Sequence, residues 1–118
     1  MILADTSVWV DHLRKNNARL GALLGDGLVL VHPFVLGELA LGRLKKRSEV
    51  LGLLAEMPRA EAASDDEALE FIELHRLAGS GIGWVDVHLL VSAALSGVSL
   101  WTLDRRLSNV ALRLALSA

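Results

Sequence analysis

Cysteine is absent from this chain of 118 residues. Its absence excludes disulfides, thiolate metal sites and a cysteine nucleophile, and it fits a reducing compartment. No secretory leader is expected at the opening stretch, because Asp5 and Asp11 interrupt its apolar residues. No run approaches the roughly 18–20 uninterrupted apolar residues of a membrane span. We therefore expect a cytoplasmic protein with no membrane partner.

Neither sign of charge dominates the sequence, which has 12 Lys and Arg residues against 14 Asp and Glu residues. The net charge alone therefore does not indicate a nucleic-acid-binding protein. Neutralising four of the acids would leave two fewer acids than bases, so a polyanionic substrate is not excluded. Hydrophobic residues make up 53% of the chain, which excludes a disordered protein. The length predicts one domain, residues 1–118.

Short apolar runs alternate with segments of helical spacing along the chain. The apolar runs predict buried strands at Met1–Ala4, Leu28–Val31 and Leu100–Leu103, with a weaker strand at Arg59–Ala63. Spacing and caps predict helices at Val8–Arg14, Ala18–Leu24, Pro33–Leu41, Arg43–Met57, after Ser64, at Asp86–Leu95 and from Arg105. This alternation predicts an α/β fold, with a central, mostly parallel sheet of short strands flanked by helices on both faces.

Four carboxylates lie inside or at the end of apolar runs: Asp5, Glu38, Asp86 and Asp104. A buried carboxylate without a partner is costly, so such acids are usually neutralised or bound to a cation. Asp5 and Asp104 follow predicted strands, and active sites gather at the carboxyl ends of parallel strands. Asp86 follows a glycine-rich loop, and Glu38 lies one to two turns into the helix after the second strand. We therefore expect the four acids to converge at one edge of the sheet.

A cluster of four carboxylates needs cations to stay ionised, because like charges a few ångström apart repel strongly. Hard oxygen ligands without His or Cys favour Mg²⁺ or Mn²⁺ over zinc. A metal held in this way is suited to phosphodiester hydrolysis. Thr6, Ser7 and Thr102 adjoin the acids and could orient the ligands or water.

Each acid also has a purely structural interpretation. Asp5, Asp86 and Asp104 could cap the helices that they precede or begin, and Glu38 could extend to solvent. Glu38 is the most informative of the four because its mid-helix position gives it no cap to form. Four separate structural explanations would all have to hold in one chain. A single shared site explains the four acids together and is therefore favoured.

These residues resemble a known family, the PIN-domain nucleases. Four stretches resemble its motifs in order: Asp5-Thr6-Ser7 after an apolar strand, Pro33–Leu39 with Glu38, Gly83–Ala94 with Asp86, and Leu100–Leu107 with Asp104. Any one of these motifs is weak, whereas the ordered set is specific and spans almost the whole chain. The length resembles that of the VapC-type toxins of bacterial toxin–antitoxin pairs.

The resemblance implies a PIN-like fold and an Mg²⁺- or Mn²⁺-dependent endoribonuclease. It implies that Asp5, Glu38, Asp86 and Asp104 bind metal, supported by Thr6 and Thr102. The implied partners are an RNA substrate, a second copy in a homodimer, and an antitoxin whose C-terminal segment wraps the toxin. Some relatives end in a further strand, which is expected here at Ala111–Leu116 or is missing.

Two other functions stay open at this stage. The first is an aspartate-based phosphotransfer or phosphatase domain with Asp5 as nucleophile, although the lysines Lys15, Lys45 and Lys46 are not at strand ends. The second is a non-catalytic module that binds a partner protein through its apolar surface.

Two further patterns have ordinary interpretations. The basic run Arg43–Arg47 is interpreted as a solvated helix start rather than as an RNA contact. The four histidines have no metal-ligand spacing and are expected at the surface or hydrogen-bonded in the core.

Overall fold

The structure is a computed structural model that describes every residue from Met1 to Ala118. It contains three strands and seven helices. The strands are β1 (Ile2–Ala4), β2 (Val29–Leu30) and β3 (Ser99–Trp101). The helices are α1 (Thr6–Lys15), α2 (Ala18–Gly25), α3 (Pro33–Leu41), α4 (Arg47–Glu56), α5 (Asp65–Leu74), α6 (Trp84–Ser96) and α7 (Arg105–Arg113). None of the helices has the length and apolar character that a membrane crossing requires.

The three strands form one parallel sheet in the order β2-β1-β3. Leu3 of the central strand is paired with Leu30 on one side and with Leu100 on the other. Beyond the last residue of β1, the Asp5 N–H donates to the carbonyl oxygen of Trp101 at 2.9 Å. The predicted parallel sheet is therefore confirmed, and the carboxyl ends of β1 and β3 lie at the same edge.

The strands are shorter than the sequence predicts. β3 ends at Trp101 rather than at Leu103, which is 52% exposed. The strand predicted at Arg59–Ala63 is wrong, because only Arg59 bridges to Val31. The backbone N–H and carbonyl groups of Val31 both form hydrogen bonds in that bridge, and no further strand pairing extends it.

Of the two alternatives for the end of the chain, a strand at Ala111–Leu116 or none, the structure shows the second. α7 continues to Arg113, and it buries Leu107, Val110 and Ala111 in the core. Only a bridge between Ser117 and Leu100 continues the sheet in this direction. Burial of the apolar face of α7 therefore determines the structure of this segment.

Helix starts follow local capping chemistry. Ser64 and Glu67 form the reciprocal hydrogen bonds of a capping box at the start of α5, as a Ser three residues before a Glu predicts. α6 begins at Trp84, two residues before the predicted start at Asp86. Its third residue, Asp86, reaches back to accept the Gly83 N–H at 2.9 Å, so the helix must begin before it.

α4 begins at Arg47, and not at Arg43 as predicted. The Arg47 guanidinium donates to the carbonyl oxygens of Ala40 and Gly42, which ties the start of α4 to the end of α3. Lys46 has a left-handed backbone with φ of 53°, so the chain turns immediately before the helix. Residues 42–46 are therefore a loop.

The core is a single main cluster of 21 buried residues around β1 and the helices that cover the sheet. α6 packs against β1 and β3, and its residues from Val87 to Ala93 are all buried. Seven consecutive buried residues cover all sides of a helix, so α6 is enclosed along this stretch. This packing fixes the start of α6, including Asp86, relative to the edge of the sheet.

Shortening one buried side chain of α6 tests this packing. Leu90 has no exposed surface, so Leu90→Ala is expected to lower the free energy of unfolding by about 2–5 kcal/mol. Leu112 of α7 is itself 70% exposed, so Leu112→Ala should change the free energy of unfolding by less than about 0.5 kcal/mol. Denaturant unfolding of the two variants measures both values, and equal losses would contradict the packing described here.

Candidate active site

The Asp5 carboxylate lies at the end of the central strand and is only 7% exposed. Its Oδ2 accepts hydrogen bonds from the Thr102 hydroxyl at 2.6 Å and from the Ser7 hydroxyl at 2.9 Å. Asp5 occupies the N-cap position of α1, yet its side chain makes no capping hydrogen bond. Helix capping therefore does not explain why a carboxylate is buried here.

The same two hydroxyls position the loop that follows β3. Thr102 Oγ1 accepts the Asp104 N–H at 3.0 Å, and Ser7 Oγ accepts the Leu103 N–H at 3.0 Å. Asp104 then caps α7, because its Oδ1 accepts the Leu107 N–H at 2.9 Å. One hydrogen-bond network therefore fixes Asp5 and Asp104 relative to each other.

Glu38 is exposed and lies in the middle of α3. Its Oε1 accepts a hydrogen bond from the Thr6 hydroxyl at 2.7 Å. Thr6 is the first residue of α1 and directly follows Asp5. The carboxylate is therefore held toward the end of β1 by a residue next to the buried acid.

Asp86 interacts electrostatically with all three other acids. Burial raises the pKa of its carboxyl group, and the neighbouring charges of Asp5, Asp104 and Glu38 raise it further. The hydrogen bond from the Gly83 N–H acts in the opposite direction and lowers this pKa. Asp86 is therefore near enough to the other three predicted acids for their charges to act on it.

Each of the four carboxylates has one oxygen that no hydrogen bond reaches. The bonded oxygens are Asp5 Oδ2, Glu38 Oε1, Asp86 Oδ2 and Asp104 Oδ1. No basic side chain lies within ion-pair distance of these acids, since the two ion pairs of the chain are Lys15–Asp11 and His88–Asp65. The four free oxygens are hard donors of the kind that Mg²⁺ and Mn²⁺ prefer, so the residues fit such a cation.

In this arrangement the side chains do not form a set of metal ligands. No three His, Asp or Glu side chains of the structure lie close enough together to hold a metal ion. Binding of a cation would therefore require rotation of the side chains toward a common centre.

Two of the four histidines are buried beside this site, in an aromatic cluster. The Nδ1 of His32 accepts the Phe34 N–H at 2.9 Å and caps α3, and burial lowers the pKa of His32 to about 4. The rings of Phe34 and Trp84 pack edge-on against His88, with centroid distances of 4.9 and 4.7 Å. The Nε2 of His32 has no hydrogen-bond partner, and the Nε2 of His88 lies 3.2 Å from Asp65 Oδ1 without the geometry of a hydrogen bond, so the predicted core hydrogen bonding is incomplete.

A cavity lies next to Glu38 that the sequence pattern does not predict. Arg43 and Lys45 line it, although the basic run was expected to be a solvated helix start. The cavity also includes Arg14 from α1. No spacing rule brings these residues together, because their proximity depends on how α1 packs against α3.

Comparison with known proteins places this geometry in context. The family model of the PIN domain matches residues 2–112. Ribonuclease VapC32 of Mycobacterium tuberculosis, in two strains, is 51% identical over 108 residues, covering 91% of this chain and 87% of the relative. The crystal structure of PAE2754 from Pyrobaculum aerophilum superposes with a TM-score of 0.62 over 97% of this chain and 88% of that one. Its sequence identity is 20%, so this likeness bears on the fold alone.

Asp86→Asn is expected to raise the thermal unfolding midpoint of the metal-free protein at neutral pH. Asparagine keeps an acceptor for the Gly83 N–H and removes a carboxylate that burial and three neighbouring charges disfavour. The pKa of Asp86 is raised in the folded state, so the penalty exists above that pKa and fades as the pH falls toward 3.8. The gain from Asp86→Asn should therefore shrink as the pH is lowered.

Glu67→Gln is the matched control for this prediction. Glu67 is also the third residue of a helix and also accepts the N–H of its cap residue, Ser64. Those hydrogen bonds lower the pKa of Glu67, so the loss of its charge should not stabilise the protein. Calorimetry in EDTA over a range of pH measures both variants. A lower midpoint for Asp86→Asn than for the wild type would contradict the electrostatic account.

Proposed function

Since this chain belongs to the PIN-domain family, we propose that it is a divalent-metal-dependent endoribonuclease and the toxin of a toxin–antitoxin pair. The observation that carries the proposal is the convergence of four carboxylates, each with one free oxygen, at the edge of the sheet. The relative from Mycobacterium tuberculosis is a ribonuclease, which supports RNA as the substrate. The proposed reaction is the hydrolysis of phosphodiester bonds within RNA.

In this proposal Asp5, Glu38, Asp86 and Asp104 hold Mg²⁺ or Mn²⁺. A cation bound there would supply an activated water and would stabilise negative charge on the phosphate. Asp86 has to be ionised in order to bind, and its raised pKa makes metal binding weaken as the pH falls.

Hydroxyl groups are proposed to orient the acids. Thr102 donates to Asp5 and accepts from the Asp104 N–H, so a single hydroxyl sets the relation between two ligands. Thr6 orients Glu38 in the same way through one hydrogen bond. Pre-oriented ligands lower the cost of assembling the site around a cation.

The proposed partners are RNA, a second copy of this chain and an antitoxin, all in the cytoplasm. The acids have no basic partner within the chain, so a basic side chain from an antitoxin would be complementary to them. Such a contact would occupy the same oxygens as the metal and would explain inhibition.

RNA cleavage tests the proposed function directly. The wild type should cleave single-stranded RNA with added Mg²⁺ or Mn²⁺ and lose the activity in EDTA. Asp5→Asn should lower kcat/KM by more than about 100-fold, which exceeds the roughly 10–100-fold effects typical of residues that only support metal ligands. Asp66→Asn, an exposed acid in the first turn of α5, serves as the control and should cleave like the wild type. Equal cleavage by all three proteins would refute the assignment.

Metal affinity tests the role of the hydroxyl groups. Thr102→Val keeps the shape of the side chain but removes the donor to Asp5, so Mn²⁺ affinity measured by calorimetry should fall by about 10–100-fold. Thr102→Ser restores the hydroxyl and should recover most of the affinity. If valine and serine bind Mn²⁺ equally well, Thr102 has only a packing role.

A further inference from the structure

Two adjoining cavities form a groove along α1. The first has a volume of about 640 Å³ and lies between α1, the end of α3 and the loop to α4. The second has a volume of about 400 Å³ and extends along α1 to Ser7 and Leu103. Both are lined by Val10 and Arg14, so they adjoin each other along α1, and we call them together the α1 groove. The groove reaches the carboxylate site at two places, because Glu38 lines the first cavity and Ser7 lines the second.

The walls of the α1 groove carry three cations without partners in the chain. Arg14, Arg43 and Lys45 are exposed, and none of them makes an ion pair or a side-chain hydrogen bond. Neighbouring bases are engaged, since Lys15 pairs with Asp11 at 3.3 Å and Arg47 binds backbone carbonyls. Two acids, Glu38 and Asp11, also line the groove, but Asp11 is paired with Lys15, so the three unpaired cations leave an excess of positive charge in a molecule whose formal net charge is −2.

The floor of the groove is apolar and open to solvent. Val10 and Leu13 of α1 are 38% and 37% exposed, and Leu39 and Leu44 line the same cavity. A surface with an apolar floor and basic walls is complementary to an unpaired nucleic-acid strand, which presents flat bases and a line of phosphates.

We propose that the α1 groove binds the single-stranded RNA that leads to the scissile phosphate, with its phosphates held by Arg14, Arg43 and Lys45. This inference rests on the proposed ribonuclease function. A polyanion must approach four carboxylates in order to be cut, and cations beside them offset that repulsion. The continuity of the groove with Glu38 and Ser7 leads the bound strand to the acids.

Removal of the three charges tests the groove. The variant Arg14→Gln/Arg43→Gln/Lys45→Gln should raise KM for a fluorogenic single-stranded RNA by about tenfold or more, and should raise KM more than it lowers kcat. The slope of log affinity against log salt concentration should fall by about 2, since each phosphate contact to a single strand contributes roughly 0.7. Affinity is measured by fluorescence anisotropy with the same RNA in EDTA, which removes the cation that the proposed cleavage requires.

The matched control removes three exposed positive charges outside the groove. Lys46→Gln/Arg59→Gln/Arg76→Gln changes the net charge equally, and none of these residues lines either cavity. This variant should keep the wild-type KM and lose much less of the salt slope. If both triple variants behave alike, the effect is one of net charge and the groove is not the binding site.

The possible outcomes separate this inference from the proposed function. If the wild type cuts no RNA with either metal, the proposed function fails, whereas the anisotropy measurement still decides whether the groove binds RNA. If the wild type cuts RNA and the groove variant keeps its KM and salt slope, the inference fails alone. If the groove variant processes RNA normally but loses a co-expressed antitoxin, the groove docks a protein and the inference is wrong. Should the triple variant unfold, Lys45→Gln alone should reduce the slope by about 0.7, and no reduction would overturn the inference.

Discussion

The buried carboxylate of Asp5 is the constraint on which the rest of the site depends. It lies at the end of the central strand, and no basic side chain approaches it. A group of this kind is tolerated in the interior only when it is hydrogen-bonded. The hydroxyls of Ser7 and Thr102 satisfy its Oδ2, and the same hydroxyls hold the loop after β3. The need to satisfy this one carboxylate therefore joins the carboxyl end of β1 to the loop after β3, and it places Asp104 next to them.

The other three acids show that a structural role and a ligand role are compatible. Asp86 and Asp104 each use one oxygen to accept a backbone N–H at a helix start, and Glu38 uses one to bind Thr6. In each case the second carboxylate oxygen accepts no hydrogen bond. Capping and metal binding are thus not alternatives for a carboxylate, because the two functions engage different atoms. One oxygen of each carboxylate stabilises the local fold, while the other accepts no hydrogen bond.

The sequence predicts the parallel sheet and the convergence of the acids because both follow from short-range patterns. Apolar runs mark β1 and β3, and a carboxylate after each run must lie at the same sheet edge. Glu38 was expected to be the most informative acid, yet Asp5 is the one that is buried and caps nothing. The start of α4 and the α1 groove were not predictable, since they depend on the Arg47 contacts with α3 and on the packing of α1. Long-range packing, which no local pattern encodes, determines these features.

The order of the strands has a consequence for how the protein is made. β1 lies between β2 and β3, but the hydroxyl of Thr102 that satisfies Asp5 is 97 residues further along the chain. A nascent chain that stops short of β3 leaves one edge of β1 open and lacks both Thr102 and Asp104. Domains fold as units during synthesis, so the site forms only after this late segment leaves the ribosome. For an enzyme proposed to cut RNA, the order of the strands thus delays assembly of the carboxylate site until the last strand has been made.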